Sequence, residues 1–550
     1  DPRRWVALAV VLIAGFMQLV DISIVNVAIP SIQRDLDATY ADIQWVLAGY
    51  QLAFAVMLIT GGRLGDIFGR KRLFMIGMAG FTLASALCGL AQTPDMLIAS
   101  RILQGLFGAI MFPQVLSIIQ VTFPPQERAT AFGLFGATIG LATITGPLVG
   151  GLLIQADLFG LEWRPIFLVN LPIGIAALAV AARFLVESKA PRALRLDPVG
   201  VVVVTAGLLL LVYPLVQGRD LGWPPWTFLS MAASVPVLAG FAVYERHKKA
   251  LDGSPLVDMD LFRQRSFVPG LLLAGIFFMG IPAFFLTFSL WLQIGLGFSA
   301  LHAGLTGAPF AVGSALASAA SVRLVPVLGR RILSAGSLLL VAGMVALMWT
   351  VDRYGGAVTS WQLLPALLLC GLGLGSVIAP LVNVVLAGIR AQDAGSASGV
   401  LTTVQQIGGA IGVALIGVVF FGLLGSQAAG VADDVLPGLR ADLQGAGLPP
   451  AATQQVAAGF RTCFEDRANA KDPSAVPASC AQAQSQAQGQ DGVGRVVAAA
   501  ADTARRQDFS EAFQRTLLFE VAVYLACFLL VFLLPDARGD AAGQQAGAAV

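Results

Sequence analysis

Long apolar runs separated by short charged segments dominate this chain. Fourteen runs of roughly 20 residues, the length a helix needs to cross about 30 Å of hydrocarbon, fall near 5–28, 43–61, 73–91, 96–121, 130–156, 166–186, 197–216, 226–244, 267–292, 303–325, 332–350, 361–385, 399–424 and 515–534. Greasy helices joined by so few residues must pair as antiparallel hairpins. The most charged connection is Gly62-Arg63-Leu64-Gly65-Asp66-Ile67-Phe68-Gly69-Arg70-Lys71-Arg72, in which four cations surround one carboxylate. Its glycines stand where the backbone has to bend sharply.

Composition turns this pattern into a class. Of 550 residues 57% are hydrophobic and 12% charged, with mean hydropathy +0.79, whereas soluble domains carry about 25% charged residues. The expectation is an all-α integral membrane protein. The first run, Trp5 to Ala28, reads as a span rather than a leader, because it is long and lacks a clear small-residue cleavage site. A net charge of +2 argues against nucleic acid as a partner. An even number of spans puts both termini on one side, and Arg3, Arg4, Arg63, Arg70, Lys71, Arg72, Arg128, Arg246, Lys248, Lys249, Arg330 and Arg331 gather there. The short connections of the other side hold only Arg34, Arg164, Arg219 and Arg353. By the positive-inside rule the 62–72 loop and both termini are cytoplasmic, in a multi-pass protein of the cell membrane.

Residues 425–514 break the pattern. They are rich in Ala, Gln, Gly and Asp and fall outside by this topology, with 451–469 read as helical and 474–495 as low-complexity. Cys463 and Cys480 lie here, seventeen residues apart, and in an oxidising compartment they can form a disulfide. Cys88, Cys370 and Cys527 read as small apolar packing residues. No Gly-Lys pair occurs, so no phosphate-binding P-loop and no ATP-driven pump is expected, and there is no Gly-x-Ser-x-Gly elbow. The two histidines, His247 and His302, fall on opposite sides, which leaves no histidine metal site and calls for no cofactor. Energy for any pumping would come from an ion gradient.

Ionisable residues inside spans are functional candidates, since each costs about 2.5–3.5 kcal/mol to insert. Asp21 in span 1 and Arg101 in span 4 lie at similar depth, and the pair fits either proton coupling or a static ion pair between helices. Glu520 in span 14 is a third candidate, unless it reaches back to the headgroups. Gln18, Asn26, Tyr50, Gln51, Gln104 and Gln405 either line a cavity or bond neighbouring helices. Phe284, Phe288 and Trp291 make span 9 aromatic, which suits flat hydrophobic ligands and also suits packing. In span 5, Gly136, Gly140, Gly146, Pro147, Gly150 and Gly151 read as one small-residue face with a kink, a surface that slides or rocks.

Taken together, these stretches resemble the major facilitator superfamily. Gly62-x-Leu64-Gly65-Asp66-x-x-Gly69-Arg70-Lys71 looks like its motif A, Arg101-x-x-Gln104-Gly105 its motif B, and Gly146-Pro147-x-x-Gly150-Gly151 its motif C. Asp21-x-x-x-x-Asn26-x-Ala28-x-Pro30 resembles the span 1 motif of the fourteen-span drug:proton antiporters, and Trp163-Arg164-x-x-Phe167-x-x-Asn170-x-Pro172 and Gln405-Gln406-x-Gly408-Gly409 follow the same pattern. The resemblance implies two six-helix bundles, spans 1–6 and 9–14, with spans 7 and 8 inserted. The chain then divides into an N-terminal bundle (1–190), the inserted pair and linker (191–266), five helices of the second bundle (267–424), an outer loop (425–514), the last helix (515–534) and a tail (535–550). It further implies export of hydrophobic or cationic small molecules, in exchange for protons, with Asp21 and Arg101 as coupling pair and span 5 as hinge. Asp66, with Gly62, Gly69, Arg70 and Arg128, would latch the cytoplasmic side. Export of a lipid or a self-made secondary metabolite stays open. So does a non-transporting role in which 425–514 docks an extracytoplasmic partner.

Overall fold

The computed structural model describes residues 3–38, 40–189, 197–218, 221–386, 389–390, 393–469, 477–481 and 491–534. Every regular element among them is helical. The first half holds α1 (Arg3–Leu36), α2 (Tyr40–Phe68), α3 (Arg70–Gly89), α4 (Pro94–Thr122), α5 (Pro125–Ala156), the short α6 (Pro165–Leu168) and α7 (Asn170–Phe184). Two further helices, α8 (Pro198–Gln217) and α9 (Pro225–Asp252), precede α10 (Phe267–Leu290), α11 (Ala300–Leu328), α12 (Arg331–Tyr354), α13 (Ser360–Leu386) and α14 (Ala394–Gly445). The chain closes with α15 (Pro450–Ala468) and α16 (Asp491–Leu530). Among the described residues 13 helices are long and apolar enough to cross a membrane. The fourteenth expected span, 130–156, lies in the 32-residue α5, some of whose side chains fall outside the described residues.

Helices α1–α7 form one bundle and α10–α14 with α16 the other, while α8 packs between α2 and α14 and α9 packs on α8. The bundles meet along α5, which lies against α11 and α13, and along α14, which lies against α2 and α4. Leu209, Phe228, Leu229, Val243, Trp349 and Leu529 stay exposed on the perimeter, as expected where lipid rather than water is the solvent.

Two sequence expectations are corrected. The 62–72 segment is not a loop: α2 runs to Phe68, α3 starts at Arg70, and the turn is Gly69 alone, at φ 111°. A side chain is disfavoured at that φ, and a Cβ there would also lie 2.5 Å from the Glu187 carboxyl. Glu187 accepts from the backbone N–H groups of Lys71 and Arg72, so its negative charge sits on the free donors opening α3. The expected outer loop is likewise mostly helix. The 52-residue α14 is about 78 Å long at 1.5 Å per residue, far more than a bilayer requires. Its extension, α15 and the start of α16 share an apolar core of Val431, Leu436, Leu439, Leu443, Phe460 and Val493, and the Cys463–Cys480 disulfide is formed. Much of the 474–495 stretch lies outside the described residues.

Candidate functional site

Asp21 is the centre of a buried polar hub. Arg101 Nη1 donates to its Oδ2 at 2.6 Å, while Gln104 Nε2 and Asn170 Nδ2 donate to its Oδ1, each at 2.9 Å. Arg101 Nη1 also reaches Gln104 Oε1 at 2.6 Å, and its Nε donates to the Val46 carbonyl at 3.2 Å. Ser85 ties the rear of the hub together, accepting from Gln104 and Asn170 and donating to the Phe167 carbonyl. The Tyr50 ring covers the guanidinium at 4.2 Å, which adds a cation–π attraction in a desolvated place. Asp21, Arg101, Gln104 and Asn170 are each at most 2% exposed. A pair so buried is supported by the further hydrogen bonds to Asp21 Oδ1 and from Arg101 Nε and Nη1.

All three partners of Asp21 belong to the first bundle, Arg101 and Gln104 on α4 and Asn170 on α7, and the rest of the hub comes from α2 and α3. Their spacing explains the convergence: Arg101 and Gln104 stand three residues apart on one face of α4. Asn170 opens α7 after the break at Val169, which points its amide into the bundle. Sequence reasoning quoted Asn170 within a motif without giving it a role, and Ser85 carried no sequence signal at all. Gln18 and Tyr50 flank the hub; the Gln18 Oε1 and Tyr50 hydroxyl atoms lack hydrogen-bond partners among the described residues. Gln51 is exposed and Gln405 is buried on α14, away from any such cluster. The side chains of Asn26 and Pro147 lie outside the described residues.

Asp66 builds a second site where the bundles meet. Its Oδ1 accepts from Arg70 Nη2 at 2.6 Å and from Gly395 N at 3.1 Å, and its Oδ2 accepts from Ser396 N at 3.0 Å. The residue preceding α14, Asp393, makes no side-chain cap to its own helix. A carboxylate from the other bundle therefore occupies the anion-favouring position over the free N–H groups of α14. Nearby, the hydroxyls of Ser117 and Ser398 lie 2.7 Å apart and Gln120 Nε2 donates to the Leu386 carbonyl at 2.7 Å, both across the same seam. Backbones touch there: a Cβ on Gly62 would lie 2.2 Å from the Gly395 oxygen, and one on Gly395 would lie 2.3 Å from the Gly62 oxygen. The expected pairing of Asp66 with Arg128 does not occur. Arg128 Nε instead donates to the Phe123 carbonyl five residues back, at 2.9 Å.

The glycines of α5 do not share one face. Six residues separate Gly140 from Gly146, about 600° of rotation, which turns Gly146 some 120° away. Gly136 and Gly140 meet Ser318 and Ser314 of α11, and Gly151 also points to α11, whereas Gly146 and Gly150 meet Ser23 and Ile24 of α1. Helix α5 is thus flanked by small-residue contacts on both sides, one within its bundle and one across the seam.

The aromatic residues of α10 and of the turn that follows it are also placed differently from the expectation of a ligand cavity. Phe284, Phe288 and Trp291 are 1%, 4% and 0% exposed and form a packed column with α16. Trp291 stacks on Phe513 with centroids 4.4 Å apart and donates Nε1 to Ser510 Oγ at 3.0 Å. Glu520 lies further along the same face of α16, at the end of this column.

Two bundles, a membrane-length helix set and a buried charged hub define a multi-pass membrane transporter. The model of the Major Facilitator Superfamily matches residues 11–413, and the chain belongs to that superfamily. It is 44% identical over 530 residues to the "probable actinorhodin transporter" of Streptomyces coelicolor, covering 96% of this chain and 91% of that protein. It is 36% identical over 425 residues to the puromycin resistance protein pur8 of Streptomyces alboniger, covering 77% of this chain and 83% of that protein. Among solved structures, the human organic anion transporter MFSD10 shares the fold at TM-score 0.55 and 17% identity, over 76% of this chain and 94% of that one.

Proposed function

We propose that the protein is a proton-coupled antiporter of the cell membrane that exports hydrophobic or amphipathic antibiotic-type compounds by alternating access. The Asp66 end faces the cytoplasm in this reading, as the distribution of basic residues requires. The observation that carries it is the Asp21 hub: a carboxylate fully enclosed by Arg101, Gln104 and Asn170 at membrane depth. Displacing Arg101 or admitting water would change how firmly Asp21 holds a proton, so substrate and proton can compete for one state of the bundle. Asp66 holds the cytoplasmic seam shut, and its release would open the pathway inward. The relative named as a puromycin resistance protein supports the direction of transport.

A self-made secondary metabolite is the favoured substrate class within this reading. The relative named for actinorhodin matches 96% of the chain, too much to omit the helical extension at 425–514, whereas pur8 matches 77%. The test is substrate-driven proton movement in proteoliposomes. Wild-type protein should release protons to the side from which substrate is removed, and Asp21→Asn should abolish that exchange by tenfold or more. Export by Asp21→Asn at the wild-type rate would overturn the coupling assignment.

A further inference from the structure

Glu520 of α16 is 1% exposed, yet neither of its carboxyl oxygens has a hydrogen-bond partner among the described residues. Its place is shaped for it by the absence of a side chain opposite. A Cβ on Gly280 of α10 would lie 2.8 Å from Glu520 Oε2 and 2.7 Å from the Tyr524 hydroxyl. The titratable groups facing this pocket are Tyr524 and Cys527 from α16 itself and Cys370 from α13. Neither an arginine nor a lysine pairs with Glu520 among the described residues. From α10 the lining is Gly280 with the Phe277 ring, which packs against Tyr524 at 6.0 Å, and outward lies the Phe284–Phe288–Trp291 column.

An ionised carboxylate cannot persist in such surroundings. Without a cation or donors it would bear an uncompensated desolvation penalty, which binding a proton removes. The contrast with Asp21 is direct, since that carboxylate has an arginine and two amides while this one has none. Resting on the proton-coupled reading above, we propose that Glu520 is a second proton-carrying carboxyl, one in each bundle, loaded with a proton in the conformation whose cytoplasmic seam is shut. The proton arrives and leaves as H+ when α10 and α16 separate enough to admit water, and no other bond changes.

The consequence is a stoichiometry. At zero membrane potential, a one-unit pH gradient sustains about a hundredfold substrate gradient with two protons per cycle and about tenfold with one, since each factor of ten is about 1.4 kcal/mol. Glu520→Gln mimics the protonated acid in size and neutrality, so the variant should reach about a tenfold gradient where the wild type reaches about a hundredfold. Equal limiting gradients in the two would overturn the proposal while leaving coupling through Asp21 intact. If the wild type itself builds no gradient from the pH difference, the proton-coupled reading falls and this inference falls with it. Infrared difference spectroscopy supplies a readout independent of transport. The wild type should show a protonated-carboxyl stretch at neutral pH that Glu520→Gln lacks and Glu520→Asp shifts, so the test survives if the amide variant does not fold. A band unchanged in both variants would overturn the assignment.

Discussion

Asp21 and Asp66 carry the same chemistry to different ends. Each is buried, and each holds an arginine at 2.6 Å. Asp21 takes every partner from its own bundle, whereas Asp66 spends one oxygen partly and the other wholly on backbone N–H groups of the opposite bundle. In the alternating-access reading proposed above, movement of one bundle against the other would pull the partners of Asp66 apart, whereas those of Asp21 lie within one bundle. On that reading Asp21 would carry a protonation state through the conformational change, and Asp66 would hold one position. Burial and an arginine partner are common to both carboxylates; what differs is the bundle that owns the remaining partners.

The strongest break of this comparison is a double dissociation. Asp66→Ala strips Arg70 of its carboxylate and leaves the N–H groups of Gly395 and Ser396 without their acceptor, a loss of about 3–5 kcal/mol for a buried charged contact. The part lost with the Gly395 and Ser396 N–H groups falls on the shut seam alone, because the Arg70 contact lies within the first bundle. Pairs of spin labels on the α2 and α12 ends at that face should therefore shift to long distances in Asp66→Ala and stay at wild-type distances in Asp21→Asn. The amount of Asp66→Ala protein in the membrane should be near normal while export falls. A variant that only lowers protein level, with label distances unchanged, would remove the latch.

A smaller effect sharpens the same point without touching charge. Gly395→Ala places a methyl 2.3 Å from the Gly62 oxygen, and overpacking of this kind costs about 1–3 kcal/mol. Because the clash exists only when the seam is shut, the variant should resemble a weak Asp66→Ala in label distances. The Asp21 hub should keep its wild-type proton exchange per turnover. An unaltered distance distribution would mean that the close approach of these two backbones does not set the shut state.

Much of the hub was legible in the sequence. Asp21 and Arg101 could be matched because a charge in a span is rare and depth along a helix can be counted from its end. The partners of Asp66 could not be matched that way. They are main-chain groups 329 and 330 residues away, with no residue type to betray them, so charge matching pointed to Arg128 in the next connection instead. The helical extension was hidden for a different reason. Its Ala- and Gln-rich composition suggests low complexity, yet both residue types favour helix, and Leu436, Leu439 and Leu443 recur at helical spacing on the side that packs. Conversely, the glycines of α5 looked like one stripe because small residues are conspicuous, and only the rotation between Gly140 and Gly146 divides them between two neighbours.

The smallest effect concerns the brace behind the latch. Lys249, at the end of α9, pairs with Asp258 at 2.7 Å and also with Asp260, while Arg390 joins Asp258 at 3.4 Å to Asp393 at 2.9 Å, beside the first turn of α14. The inserted pair is thereby linked to the helix start that Asp66 caps. Asp258 and Asp393 are buried, but their cationic partners Lys249 and Arg390 reach solvent, so each pair contributes about 0–1 kcal/mol and is screened by salt. Asp258→Asn should therefore shift the seam slightly toward open at low ionic strength, and the difference from wild type should vanish in high salt. The Lys249 ammonium holds the Asp260 carboxyl below its ordinary range. Such a group adds its share of stability above the ordinary carboxylate range and loses it as pH falls through the lowered value. At neutral pH the brace is intact, and label distances should respond to acid only well below it. A response to Asp258→Asn that persisted at high salt would show that Asp258 acts through packing rather than charge, and would tie the inserted helices to the seam more rigidly than ion pairs can.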